Sequence, residues 1–189
     1  MKIIDKMLLE FWGRKAPNPA IDMPATIKSS IIGTLKYHPK KKPKGDRYGS
    51  YSGKIPYRDG FSSDHIRNPP SVSIVINVSD LGTMVDIKKL ENLIKDLTRN
   101  KHDIKYKKVF LKRHRKDDPI SEDEFLKVYK LSQVETWMSS GKTDDFKGPE
   151  MFRVAFRHHD EATDKTNWFD HDLFVILDGT RKIIETGME

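Results

Sequence analysis

Between Leu173 and Leu177 the chain reads LFVIL, an unbroken apolar run that is followed at once by Asp178-Gly179. Successive strand side chains point to opposite faces, so such a run requires apolar cover on both sides. It predicts a strand in the middle of a sheet, with helices or a second layer over it. Asp178-Gly179 predicts a tight turn into RKIIE. Upstream, Val154, Phe156 and His158 alternate with Arg153, Ala155 and Arg157, which predicts an antiparallel partner strand and a hairpin framing 151–189.

A chain of 189 residues fits one domain with a real core. The predicted layout is an N-terminal helix over 1–13, an extended connector over 14–30 and an α+β core over 31–189. Hydrophobic residues make up 36% and charged residues 33%, so the core is modest and the surface heavily charged. Cysteine is absent, which excludes disulfides, a thiol nucleophile and thiolate metal sites. The first residues, MKIIDKMLLEFWGRK, lack the pattern of a secretory leader, and no run approaches the roughly 20 apolar residues of a membrane span. The predicted location is therefore cytoplasmic. A net charge of +7 favours an acidic partner, whether nucleic acid, anionic membrane or acidic protein.

Ile3, Ile4, Met7, Leu8 and Phe11 recur at helical spacing before Gly13, predicting an amphipathic helix over 2–12 that docks on the sheet. IIGTLKY and RYGSYSGKIPY predict two strands joined by a basic loop, with Gly49 and Gly53 marking bulges or close backbone approach. SVSIVINV alternates and predicts a third strand. Over 86–99 the period changes: Ile87, Leu90, Leu93, Ile94 and Leu97 line one face of a helix, opened by Thr83 with Asp86. This helix must cover the doubly apolar strand, so Leu90, Leu93, Leu97, Phe174 and Ile176 are expected to be buried together. KHDIKYKKVFLKRHRKDD predicts a second helix, with a strand over KKVFLKR as the alternative. Ser121 and Glu124 form a capping box for a short third helix, and LSQVETWM re-enters the sheet. The expected fold is α+β: an antiparallel sheet of five to seven strands, two or three helices on one face, and the N-terminal helix.

The order of IIGTLKY, YSGKIPY, an alternating strand, DIKKLENLIKDL, ISEDEFLKVYKLSQV and WFDHDLFVILDGTRKIIETGM resembles, over 31–188, a group of small bacterial domains that look like immunity proteins of toxin systems. The resemblance implies a non-enzymatic protein of interbacterial competition that binds a cognate toxin and occludes its active site, with no cofactor. That group has a glycine before the closing histidine, whereas Asp170 precedes His171 here. No functional residue is carried across.

Other chemistry is weaker. His158, His159, Asp160, Asp170, His171 and Asp172 are all potential metal ligands, but alternation places only His158 with Asp160, and Asp170 with Asp172, on a shared face. Polar strand ends flanking a solvated loop explain them better than a metal-dependent hydrolase or nuclease does, and that enzyme is the third reading. GSYSG at 49–53 lies within a strand, not at the strand-to-helix turn of a nucleophile elbow. There is no Walker or dinucleotide glycine motif.

Two stretches, 38–44 and 101–116, concentrate the cations. Their candidate contacts are Lys40, Lys41, Lys42, Lys105, Lys107, Lys108, Lys112, Arg113 and Arg115, set against a plain solvated face. Such an array suits an acidic protein groove, since charge complementarity speeds encounter. The runner-up partner is nucleic acid, with Tyr106 or Phe110 stacking on a base. A basic inhibitor repels a basic nuclease, so the expected target is a toxin with an acidic cleft, such as a nucleotide-modifying or ADP-ribosylating enzyme. Trp12, Trp137 and Trp168 are expected in the core or an interface.

Overall fold

The structure, a computed structural model, describes residues 23–40, 47–56, 71–79, 83–99, 103–114, 121–139, 150–158 and 172–189. Eight strands form one sheet in strict chain order: β1 (Thr26–Ser29), β2 (Gly33–Pro39), β3 (Arg47–Pro56), β4 (Ser71–Ser79), β5 (Tyr129–Met138), β6 (Glu150–His158), β7 (Leu173–Asp178) and β8 (Ile183–Met188). Between β4 and β5 lie α1 (Ile87–Arg99), α2 (Asp103–His114) and α3 (Glu122–Val128). The fold is α+β, as expected, but the sheet is larger than five to seven strands and it is mixed. β4 and β5 pair in parallel, from Ser73 opposite Gln133 to Ile76 opposite Thr136, while the other junctions are antiparallel. Parallel neighbours cannot be joined by a tight turn, so the three helices occupy the crossover. The predicted N-terminal helix lies outside the described residues.

The connector expected over 14–30 contains β1, a four-residue strand too short for its alternation to be read between prolines. Its turn is built by Ser29, whose hydroxyl accepts the N–H groups of Ile31 (3.0 Å) and Ile32 (3.2 Å). Gly33 follows with φ of 72°, in the left-handed region that glycine enters freely. Tyr51 ties the preceding segment down by donating its hydroxyl to the Pro24 carbonyl at 2.7 Å. In β3 the register shifts between Arg47 and Gly49, and a Cβ at Gly53 would stand 2.7 Å from Leu35 Cδ2. Both glycines thus behave as their spacing predicts.

One face of the sheet is buried under the crossover helices. Val72, Ile74, Ile76 and Val78 of β4, Phe152, Val154 and Phe156 of β6, and Leu173, Val175 and Leu177 of β7 join Leu90, Leu93, Ile94 and Leu97 of α1 in one apolar cluster. The expectation for α1 holds, but that for β7 needs correction: Phe174 and Ile176 lie on the opposite face and are half-buried. β7 is also the penultimate strand instead of a central one. A neighbouring side chain and a glycine take the place of a second layer. The Arg153 guanidinium stands 4.7 Å from the Phe174 ring centroid. Opposite Phe174 is Gly187, where a Cβ would come within 2.5 Å of the ring, so the aromatic lies over bare backbone.

The helix starts are set by local capping. Asp86 caps α1 alone, accepting the Lys88 N–H at 2.9 Å. Thr83, expected to share that role, instead accepts the Ser79 N–H at 2.8 Å through its carbonyl. Ser121 caps α3 by accepting the Glu124 N–H at 3.3 Å, as predicted. Leu177→Ala should lower stability by about 2 to 5 kcal/mol, the range for a buried leucine truncation. Ile176→Ala on the opposite face should lower it clearly less. Urea unfolding of the two variants checks the assignment of faces.

The hairpin tip between β7 and β8 is longer than Asp178-Gly179 alone. Asp178 accepts the Thr180 hydroxyl (2.6 Å), the Thr180 N–H (2.8 Å) and the Lys182 N–H (3.0 Å). The left-handed position falls on Arg181, with φ of 67°. Its guanidinium pairs with Asp96 of α1, which anchors the tip to the helix layer. The Thr180 hydroxyl first, then the Lys182 N–H, hold the Asp178 carboxyl below its ordinary pKa. A depressed carboxylate pKa contributes stability that is present above the unfolded value and lost as pH falls through the folded one. The stability gap between the native chain and Asp178→Asn should therefore be full at neutral pH and vanish in acid below the ordinary carboxylate range, as read by urea titrations across pH.

Candidate interaction surfaces

Within the stretch 101–116, α2 is a helix whose inward stripe is Asp103, Tyr106, Lys107, Phe110 and Leu111, all buried. That spacing is the core-facing pattern of a helix, with two charged members. Lys107 is therefore no surface contact, contrary to expectation: it is 3% exposed, and its ammonium lies 2.9 Å from Asp103 one turn earlier. It also donates to the carbonyls of Leu126 (3.3 Å) and Tyr129 (3.2 Å), so one cation joins α2 to the α3–β5 junction. The Phe156 ring centroid is 5.9 Å away. Half-buried Lys130 is pushed below the usual lysine pKa, by burial first and by the Lys107 charge second. Tyr106 and Phe110 are also buried, which removes them as stacking platforms for a base.

The remaining cations of α2 face solvent. Lys105, Lys108 and Lys112 lie three and seven residues apart and are exposed, with exposed Arg113 beside them. Lys108 is spent locally on Glu122 of α3, at 2.6 Å. Arg113 reaches the Thr186 hydroxyl of β8 at 3.5 Å, and His114, stacked on Phe110, contacts the same hydroxyl at 3.2 Å. Lys105 and Lys112 have no ionic partner among the described residues. The exposed ridge is therefore Lys105, Lys112 and Arg113, fixed from behind by the buried stripe. Lys40 is exposed at the end of β2, while Lys41, Lys42 and Arg115 lie outside the described residues.

A second cationic surface was missed from sequence. On the sheet face away from the helices, β1, β2 and β3 present exposed Lys28, Lys36 and Lys54. Thr26 and Ser52 stand directly opposite Lys36, so Lys28 and Lys54 are its diagonal neighbours, about 7–8 Å away. Strands β1 to β4 contain no acid. Across the sheet the charges cancel: Arg153 meets Glu189 at 2.5 Å, and Arg157 grips Asp172 through Nε (2.8 Å) and Nη2 (2.7 Å). The signal was present as single lysines at alternate strand positions, but without the pairing register three isolated lysines do not form a patch.

Of the weak metal candidates, Asp172 is committed to Arg157. His158 ends β6 opposite Tyr129, and Asp160 and Asp170 lie outside the described residues. Among the described residues no cluster of three or more His, Cys, Asp or Glu side chains has the geometry to hold a metal ion. Trp137 is half-buried on β5, and Trp12 and Trp168 lie outside the described residues. No helix of the described residues is long and apolar enough to cross a membrane. Comparison with protein-family models, with curated proteins and with solved structures finds no match.

Removing Lys107 leaves a buried carboxylate without its cation and takes a donor from two carbonyls. Lys107→Met should therefore destabilise by about 3–5 kcal/mol, whereas Lys105→Met should be near neutral. Adding Asp103→Leu to Lys107→Met should recover part of the loss, and chemical denaturation of the three proteins measures it.

Proposed function

We propose that the protein is a non-catalytic, cytoplasmic immunity protein that binds a cognate bacterial toxin through an acidic surface and occludes its active site. The observation that carries this reading is the α2 ridge. Lys105, Lys112 and Arg113 stand in solvent on a helix whose opposite side is pinned by Phe110, Leu111 and the Asp103–Lys107 pair. A cationic ridge held rigid before contact loses little freedom on docking, and it steers an acidic partner in. With a net charge of +7, the favoured target has an acidic cleft, as in a nucleotide-modifying or ADP-ribosylating toxin.

Co-purification from the native host supplies the partner. Reversing Lys105, Lys112 and Arg113 to glutamate should then slow association by about tenfold or more at low salt and flatten its salt dependence, with the melting temperature unchanged. Association of the reversed protein at the native rate removes the ridge from the interface.

A second reading, binding of a nucleic-acid backbone, is supported by the acid-free Lys28–Lys36–Lys54 face. It predicts affinity for random oligonucleotides whose logarithm falls linearly with log salt, with a slope that shrinks in Lys36→Glu. Such binding, with no protein recovered from the host, would favour it over the toxin.

A further inference from the structure

The two edges of the sheet differ in kind. β1 is four residues long and carries Lys28, which blunts an edge against pairing. β8 has six residues, IIETGM, with neither proline nor lysine; its register against β7 shifts at Ile184, and among the described residues no strand lies on its outer side. The only exposed large hydrophobic residues among the described ones both lie on this strand: Ile184, 53% exposed, and Met188, 41% exposed. An unpaired edge that also presents its apolar side chains is a template for another strand.

The strand's own sequence says which strand fits. Asp172 and Glu189 exchange both of their N–H···O bonds, at 2.9 Å each, so the backbone of Glu189 faces inward toward β7. By alternation Met188 and Thr186 turn their N–H and C=O groups to the free edge. Two copies of β8 laid antiparallel about a two-fold axis at Thr186 bring Thr186 opposite itself with both backbones outward. The same register sets Ile184 of one copy opposite Met188 of the other, twice, and Glu185 opposite Gly187. The side chains of Met188 and Thr186 point to the helix-covered side, opposite Leu173 and Val175, so facing residues agree in side as well.

Sliding the register by one backbone-competent step either way puts Glu185 against Glu185, or Glu185 against Glu189. Like charges directly opposite destabilise a strand pair. Of these three registers, only the one centred on Thr186 sets apolar on apolar and acid on glycine. We infer that the protein forms a homodimer through antiparallel β8–β8 pairing centred on Thr186, which joins the two sheets into one. Lys105 and Lys112 are not part of the shared edge, whereas Arg113 and His114 of α2 reach the Thr186 hydroxyl at its centre.

The chain has no cysteine, so a single introduced one reports the register without background. Thr186→Cys should form a disulfide-linked dimer under mild oxidation, since directly opposite residues in this pairing lie about 5.5 Å apart at Cα, within disulfide reach. Lys182→Cys, four residues from the axis, should not. Sedimentation across a micromolar to submillimolar range should show a monomer–dimer equilibrium. Ile184→Lys should raise its dissociation constant at least about tenfold while leaving the thermal melt of the dilute protein unchanged. A monomer at every concentration, a dimer indifferent to Ile184→Lys, or crosslinking of Lys182→Cys as readily as of Thr186→Cys would each overturn the inference.

Discussion

The parallel seam between β4 and β5 dictates the form of the molecule. It is the one junction that no hairpin can make, and the chain between its strands has to travel back along the sheet before pairing resumes. That return is the helix layer. Asn77 pins the seam by donating to the Glu135 carboxylate at 2.7 Å and to the Thr136 carbonyl at 3.1 Å. Because the crossover is single, the helices fall on one side, and the apolar alternation of β4, β6 and β7 is buried on that side only.

That asymmetry sorts the positive charge. On the helix side a cation is either absorbed, as Lys107 is by Asp103 and two carbonyls, or stands outside the helices, as Lys105 and Lys112 do. On the opposite side β6 to β8 neutralise their arginines with Asp172 and Glu189, whereas β1 to β3 leave Lys28, Lys36 and Lys54 without acids among them. Total charge says nothing of this division. A buried lysine and an exposed one count alike in a composition but do opposite work.

Much of the architecture was legible in the chain. α1 announced itself by period, α3 by Ser121 and Glu124, and the β6–β7 hairpin by alternation, because each signal is local. What escaped depends on partners distant in sequence. The parallel register of β4 with β5 has no local mark, and β1 is too short to show one. Phe174 and Ile176 were assigned to the helix side because an apolar residue looks buried whichever way it points, and only pairing with Arg153 and Gly187 shows how the other face is covered. In α2 the many cations mask the inward stripe, although Asp103, the only acid of the stretch from Lys101 to Lys116, stands four residues before Lys107 and marks it.

Strict sequential order also bears on how the chain is made. β1 to β4 can pair with one another as soon as they leave the ribosome, since each neighbour is the preceding strand. β4 then waits with a bare edge and an uncovered apolar side until α1 to α3 and β5 have been synthesised, a stretch running from Ser79 to Met138. At about 5–20 residues per second that wait is on the order of 3–12 seconds. During it Val72, Ile74, Ile76 and Val78 form the segment most open to capture by another nascent chain or by a chaperone.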